Sequence, residues 1–147
     1  MTKSHLLRCL TLLAVLVTVS AGGLLREAAA EPIDWKDAAS GDFDLGTNWI
    51  GDAVPDDTDD AIFNAGGFYD VIFNADQTTL SFQILGDEVE FRSADQANPN
   101  TFTLDSDATS ATLDNNSVLE VLDLNINAAG RLDVLGGSSL IVGAGAS

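Results

Sequence analysis

Three short stretches near the end of the chain share one pattern. They are Asn116-Ser-Val-Leu-Glu-Val121, Ala129-Gly-Arg-Leu-Asp-Val134 and Gly137-Ser-Ser-Leu-Ile-Val142. Each stretch has two small or polar residues, a variable position, a leucine, a second variable position and a valine. Sequence repeats of this kind are typical of folds in which similar structural units stack on one another.

The spacing of the first and last stretches predicts a parallel β-helix, also called a β-solenoid. Leu119 and Leu140 are 21 residues apart, a plausible length for one coil of a solenoid. Stacked coils would place Leu119 over Leu140 and Val121 over Val142, forming an interior ladder that one coil cannot bury alone. An antiparallel β-sandwich is the alternative, because short strands spaced about ten residues apart also suit that fold. We favour the solenoid.

The chain after residue 60 shows β patterning and no convincing helix. Apolar and polar residues alternate, as in Leu80-Ser-Phe-Gln-Ile84 and Val89-Glu-Phe-Arg92, which places one face of each strand inward and the other in water. The sequence therefore predicts an all-β protein with half-buried strands. The predicted strands are Tyr69–Phe73, Thr79–Leu85, Glu88–Ser93, Thr101–Leu104, Ala111–Leu113, Val118–Val121, Leu122–Ile126, Arg131–Leu135 and Ser139–Val142.

Residues 1–30 have the layout of a secretory signal peptide. A short cationic segment is followed by an apolar run from Cys9 to Ala21 and then by Ala28-Ala-Ala30. The apolar run is shorter than the roughly 20 residues that a spanning helix needs. We expect cleavage after Ala30 and a secreted or cell-surface protein without a membrane span in the mature chain. Cleavage after Ala21 and an uncleaved anchor from Leu10 to Leu25 are the alternatives.

The charge balance excludes several function classes. The chain carries a net charge of −17, and cleavage would leave only Lys36, Arg92 and Arg131 as cations. A polyanion of this kind is not expected to bind nucleic acid, which is recognised through phosphate neutralisation. Cleavage would also remove His5 and Cys9, the single histidine and cysteine. Without them neither a disulfide nor a catalytic triad can form, so we expect no enzyme.

The segment that follows the predicted cleavage site is rich in aromatic residues and glycine. Trp35, Phe43 and Trp49 could cover the end of the first coil and hide its unpaired strand edge. We interpret residues 31–66 as an N-terminal cap and residues 67–147 as solenoid coils, which we expect to continue beyond residue 147. The alternative role for Trp35 and Trp49 is a ligand-binding platform on which sugar rings stack.

One group of acidic residues could bind a metal. Asp56-Asp-Thr-Asp-Asp60 places four carboxylates within five residues, and calcium prefers such hard oxygen ligands. The spacing is not that of an EF-hand loop, so we interpret the segment as a solvated acidic turn. Calcium binding by Asp57, Asp59 and Asp60 is the alternative, and no other cofactor is expected.

Several segments together carry a resemblance to a known class of proteins. They are Gly41-Asp-Phe-Asp-Leu-Gly-Thr-Asn-Trp49, Val54-Pro-Asp56, Asp59-Asp-Ala-Ile-Phe-Asn64 and Tyr69-Asp-Val71, followed by the Gly/Leu/Val repeats. This arrangement is similar to bacterial surface and secreted proteins of the autotransporter-associated β-strand repeat type, and it resembles the N-terminal portion of a PEP-CTERM-like secreted surface protein. The resemblance implies a β-helical, exported, non-enzymatic surface module.

These observations favour a structural or adhesion protein. We expect a solenoid that presents an acidic face, rich in Asn, Thr and Ser, to the extracellular matrix or to cell-surface components. The alternative is a module that binds extracellular polysaccharide, or the leading part of a larger carbohydrate-active enzyme. An uncapped solenoid end would also allow self-association, because it exposes an apolar coil.

Overall fold

The computed structural model describes residues 30–143 of the chain, which wind through five coils of a parallel β-solenoid. All pairings between the described strands are parallel. The solenoid predicted from the repeats is therefore confirmed, and the antiparallel sandwich is wrong. The predicted signal peptide, apart from Ala30, lies outside the described residues.

Each coil sends one strand into each of two five-stranded sheets, and the three middle coils add a strand to a third sheet. Coil 1 contains β1 (Glu31–Asp34) and β2 (Gly41–Asp42). Coil 2 contains β3 (Asp59–Phe63), β4 (Phe68–Phe73) and β5 (Gln77–Thr79). Coil 3 contains β6 (Ser81–Leu85), β7 (Glu88–Ser93) and β8 (Thr101–Leu104). Coil 4 contains β9 (Thr109–Asp114), β10 (Val118–Leu122) and β11 (Asn125–Ala128). Coil 5 contains β12 (Arg131–Val134) and β13 (Ser139–Val142).

The first strands of the coils form sheet 1, the second strands form sheet 2 and the third strands form sheet 3. A short 3-10 helix, Gly46–Asn48, lies between β2 and β3. Coils 4 and 5 stack in the register that the repeats predict, with Leu119 paired to Leu140 and Val121 paired to Val142. Leu119 and Val121 are buried, whereas their partners Leu140 and Val142 in the last described coil are exposed.

The predicted strand boundaries are correct for β7, β8 and β13 and wrong at corners of the coils. The predicted strand Thr79–Leu85 is two strands separated at Leu80, where the chain passes from sheet 3 to sheet 1. The predicted strand Leu122–Ile126 breaks at Asp123, whose φ of 49° lies in the left-handed region that Asp tolerates. The alternation of apolar and polar residues continues through both corners and therefore does not reveal them.

Aromatic rings fill the interior of the first three coils. The ring centroid of Phe91 lies 5.2 Å from that of Phe63 and 5.4 Å from that of Phe73, in edge-to-face arrangements. Such pairs contribute about 0.5–1.5 kcal/mol each beyond the burial of their surface. Every aromatic residue of the chain lies between Trp35 and Phe102. Coils 4 and 5 therefore pack with aliphatic side chains alone.

Candidate functional sites: the capped end and the acidic column

The chain that follows the 3-10 helix pairs with the C-terminal end of β1 and with Trp35, the next residue. An isolated antiparallel bridge joins Trp35 to Trp49, and beside it the Ile50 N–H donates to the Asp34 carbonyl oxygen at 2.8 Å. Because β1 is the outermost strand of sheet 1, this bridge occupies an edge that could otherwise pair with another chain. We call this end of the solenoid the capped end.

Two side chains also satisfy backbone carbonyls at the capped end. The Trp49 indole Nε1 donates to the carbonyl oxygen of Phe43 at 2.7 Å. The Asn48 amide Nδ2 donates to the carbonyl oxygen of Asp42 at 2.8 Å. The Asn48 amide thus reaches from the 3-10 helix back to β2. Both bonds fasten the segment after the 3-10 helix onto coil 1.

Both tryptophans of the predicted sugar platform lie in the core of coil 1. Trp35 is 3% exposed and Trp49 is fully buried. Their ring centroids are 5.0 Å apart at an interplanar angle of 87°, and Trp49 packs edge-on against Phe43 at 5.0 Å. The indole faces thus contact other side chains of the protein. Sugar binding by Trp35 and Trp49 stays a prediction, and it would require the cap to open.

The acidic segment that precedes β3 forms a turn held by its own hydrogen bonds. The Asp56 carboxylate accepts bonds from the Thr58 backbone N–H at 2.9 Å and from the Thr58 hydroxyl at 2.8 Å. The first of these is the main reason that the pKa of Asp56 is lowered, and the second adds to it. The Asp59 N–H donates to the Asp56 carbonyl oxygen at 3.0 Å. This geometry is that of an Asx turn leading into a strand.

The three predicted calcium ligands do not converge. Asp57 lies exposed in the turn, whereas Asp59 and Asp60 are the first two residues of β3, and successive strand residues point to opposite faces. Asp60 accepts a hydrogen bond from the hydroxyl of Ser81 in the next coil. Across residues 30–143, no group of three or more His, Cys, Asp and Glu is arranged to hold a metal ion. Calcium binding at this turn stays a prediction.

A column of three carboxylates runs up the outer face of sheet 2. Asp70 of β4 pairs with Glu90 of β7, and Glu90 pairs with Glu120 of β10. Neighbouring strands lie about 4.8 Å apart, so three like charges stack in one row. Arg92 contacts two of them, with 3.1 Å between its Nε and Glu90 Oε1 and 3.5 Å between its Nη1 and Asp70 Oδ2. We call Asp70, Glu90 and Glu120 the acidic column.

The central carboxylate of the column, Glu90, has a raised pKa. Partial burial and the neighbouring charge of Asp70 raise the pKa of Glu90, while Arg92 opposes them and Glu120 adds a further increase. The row lies on the outer face of sheet 2, where its three carboxylate residues are partly exposed. Its chemistry is therefore that of a repeated hydrogen-bond acceptor and anionic surface, which suits a partner carrying several cationic groups.

Sequence reasoning missed a buried carboxylate that holds two coils together. Asp87 is almost fully buried and accepts bonds from the backbone N–H groups of residues 65–67 at 2.8, 2.9 and 3.3 Å. It also accepts a bond from the Tyr69 hydroxyl at 2.7 Å. Burial, followed by this bond, raises the pKa of Tyr69 above the ordinary value. Asp87 thereby fixes the turn between β3 and β4 to the coil above it.

The same position in later coils also reaches back to the preceding coil. Asp87, Ser117 and Ser138 each come directly before the sheet 2 strand of their coil. The Ser117 hydroxyl donates to the Ile84 carbonyl oxygen at 2.7 Å and accepts from the Gly86 N–H at 2.8 Å. Ser138 accepts one bond, from the Ser117 N–H at 3.0 Å. We call these three residues the staple positions. A short polar residue directly before each of these three strands is the sequence signal that could have indicated the staple positions.

The chain matches no protein-family model, no curated protein and no solved structure. Among residues 30–143, no helix is long and apolar enough to cross a membrane.

Proposed function

We propose that this chain is an exported structural or adhesion module of a cell surface, with no catalytic turnover. The parallel solenoid supports the proposal because its sheets hold outward side chains in fixed rows. A rigid scaffold with repeated rows is suited to multivalent contact with an extended partner. The signal-like residues 1–30 and the resemblance to secreted β-strand-repeat proteins support export.

The acidic column is the observation that carries the proposal. Three carboxylates in register across coils 2, 3 and 4 form a surface with one partly opposing cation, Arg92. The chain as a whole is strongly anionic. We therefore expect the partner to be a cationic component of the extracellular matrix or of a neighbouring cell surface.

A secretion experiment tests the export part of the proposal. The full chain and a variant without residues 1–30 should be produced in a bacterial host, and the culture fractions should be compared. We expect the full chain outside the cytoplasm, with a mass that corresponds to a protein beginning at Glu31. The shortened chain should stay inside. Retention of the full chain in the cytoplasm would contradict export.

A binding experiment tests the adhesion part. The purified protein should bind an immobilised cationic polymer, and binding should weaken steeply as salt screens the charges. Replacing the acidic column by Asp70→Asn, Glu90→Gln and Glu120→Gln should reduce binding about tenfold or more.

The matched control removes three charges elsewhere, by Asp57→Asn, Asp95→Asn and Asp107→Asn, and so leaves the column intact. A reduction confined to the column variant supports the proposal. Equal reduction in both variants would mean that net charge alone is responsible. Binding of neutral glycans that survives in the column variant would favour the polysaccharide-binding alternative.

A further inference from the structure

Four apolar side chains lie on the outer face of sheet 2, beside the acidic column. They are Phe68 and Ile72 of β4 and Val118 and Leu122 of β10. Along both strands these positions alternate with buried residues, so the four side chains point away from the core. Phe68 is 59% exposed. We call these four residues the apolar corners.

The apolar corners and the acidic column form rows of the same composition in two coils. The outward positions read Phe68, Asp70, Ile72 in β4 and Val118, Glu120, Leu122 in β10. Members of a row are two residues apart in an extended strand and are therefore separated by about 6.6 Å. Strand β7 pairs with both β4 and β10, which places the two rows about 9.6 Å apart. Each row thus presents one carboxylate between two apolar side chains.

The outer face of sheet 3 is different in the same three coils. There Thr78, Thr103 and Asn127 share one register position, as expected for a sheet face that contacts water alone. A group of exposed apolar side chains with polar residues around it is typical of a surface that another molecule covers. The apolar corners therefore indicate that sheet 2, in contrast to sheet 3, has a docking face.

The charge of this face determines the charge of its partner. Glu88 adds a fourth carboxylate beside the acidic column, and Arg92 is the one cation among the outward residues of β4, β7 and β10. A second copy of the chain, which carries the same net charge of −17, is repelled by such a face, as is an anionic membrane. A basic partner is attracted, and apolar groups on both sides of its basic groups would contact the corners.

We propose that the outer face of sheet 2 docks against the sheet of a β-rich protein whose strands carry a basic residue between two apolar residues at alternate positions. Side chains on one face of any extended strand have the spacing of the rows. A Val-x-Lys-x-Val strand therefore places its lysine on Asp70 or Glu120 and its valines on the corners. The partner strand must belong to a sheet, because its backbone groups find no hydrogen-bond partners on a sheet face. This inference rests on the proposed function, because it uses the acidic column.

A designed β-hairpin tests the proposal. One face of both hairpin strands carries Val-x-Lys-x-Val, the other face carries threonine, and a terminal disulfide holds the strands together, because an isolated hairpin is only marginally stable. A control hairpin replaces the valines by threonine and keeps the charge. The anisotropy of each labelled hairpin is titrated with the chain as produced and processed by a bacterial host. We expect the valine hairpin to bind at least about fivefold more tightly than the control hairpin.

Substitutions at the corners show where the valine hairpin binds. Phe68→Ser should weaken its binding about fivefold and leave the control hairpin unaffected. Ile50→Ser is the matched control, because Ile50 is 58% exposed but lies at the capped end, and it should change neither affinity. Ile72→Thr combined with Val118→Thr should act like Phe68→Ser, and it keeps the branched shape that suits a strand.

The outcomes separate this inference from the proposed function. Equal affinity of the native chain for the two hairpins, or no binding of either, would overturn the inference. So would equal losses with Phe68→Ser and Ile50→Ser. In each of these cases the proposed function stands if the cationic polymer still binds the native chain and loses affinity for the column variant. The proposed function itself fails if the column variant binds the polymer as tightly as the native chain does.

Discussion

The first and the last of the described coils differ in whether their outermost strand has a pairing partner on its outer side. At the capped end, residues 48–50 reverse direction and pair antiparallel with the chain at Trp35, and two indoles with Phe43 fill the coil. In coil 5, the last of the described coils, β13 pairs with β10 alone among the described strands, and its aliphatic side chains are exposed. Parallel stacking supplies a partner on one side only, so a terminal coil is stable when the chain itself turns back to cover it.

The side chains at the staple positions also accept fewer hydrogen bonds in coil 5 than near the capped end. Asp87 near the capped end accepts four hydrogen bonds, whereas Ser138 in coil 5 accepts one from the described residues. A buried carboxylate bonded to backbone N–H groups is held more strongly than a hydroxyl, because charge-assisted bonds are about twice as strong. The coils near the cap are therefore expected to resist opening longer than coil 5.

The largest expected effect is loss of the cap. Trp49→Ala should lower the free energy of unfolding by about 3–5 kcal/mol, because a fully buried ring and its bond to Phe43 are lost. Leu140→Ala in coil 5 is the control and should cost less than about 1 kcal/mol, because that side chain is already partly in water. Urea denaturation measures both, and equal losses would show that the cap is no more stabilising than the packing of coil 5.

The staple at Asp87 should give the next largest effect. Asp87→Asn replaces one carboxylate oxygen by an NH2 group facing N–H donors, and it should lower the free energy of unfolding by about 1–3 kcal/mol. Ser138→Ala removes the single bond at the equivalent position of coil 5 and should cost about 1 kcal/mol or less. The same urea titration applies, and a larger loss for Ser138→Ala would reverse the gradient between the ends.

Alkaline titration gives a spectroscopic view of the capped half, because Tyr69 is the only tyrosine in the chain. Its pKa is raised above the ordinary 10.0 in the folded protein, so folding stability should fall as the pH rises through 10.0. Each pH unit of difference corresponds to about 1.4 kcal/mol. Tyrosinate absorbance should appear together with unfolding, whereas the urea-unfolded chain should titrate near 10.0. Ionisation in the folded protein at the ordinary pH would disprove burial of the hydroxyl.

The smallest effect concerns the acidic column. The column ends at coil 4, because the residue of coil 5 that pairs with Glu120 is Ile141. The folded pKa of Glu90 is raised from 4.5, so its contribution to stability falls as the pH rises above that value. Glu90→Gln should therefore stabilise the protein at neutral pH by about 0.2–1 kcal/mol. The gain should vanish in acid, where the native carboxyl is protonated.

Glu88→Gln is the matched control for the column, since Glu88 pairs with Phe68 and Val118 and has no like charge directly beside it. Thermal melting at neutral and acid pH should show a gain for Glu90→Gln alone. A gain of the same size in the control would assign the effect to net charge.

Parts of this fold were predictable because they follow local periodicity. The repeat around Leu119 and Leu140 gave the coil length and the register of coils 4 and 5, since inward positions must recur wherever coils stack. Strand β3 was not predicted, because its first two residues are Asp59 and Asp60, which also suit a solvated turn. The Asp60 side chain becomes acceptable in a strand through its bond to Ser81 of the next coil.

The candidate sites depended more on the tertiary structure. Trp35 and Trp49 were recognisable as anchors of a cap, with an exposed sugar-binding platform as the alternative. The acidic column could not be predicted, because Asp70, Glu90 and Glu120 are separated by unequal intervals of 20 and 30 residues. The loop in residues 94–100 lengthens coil 3, so the three residues do not recur at a constant spacing along the sequence although they share one register position.

The sequence by itself determined the all-β class and the 21-residue spacing of the last two described coils, and it favoured the parallel solenoid over a sandwich. Alternating polarity and repeated Leu and Val positions indicate which side chains of a strand point inward. That information is contained within each strand's own sequence. Only the tertiary structure decided that Asp87 is a buried staple, that three carboxylates share one row and that residues 48–50 pair back onto coil 1. Those features depend on contacts between coils, and the register of such contacts is set by every corner and loop in between.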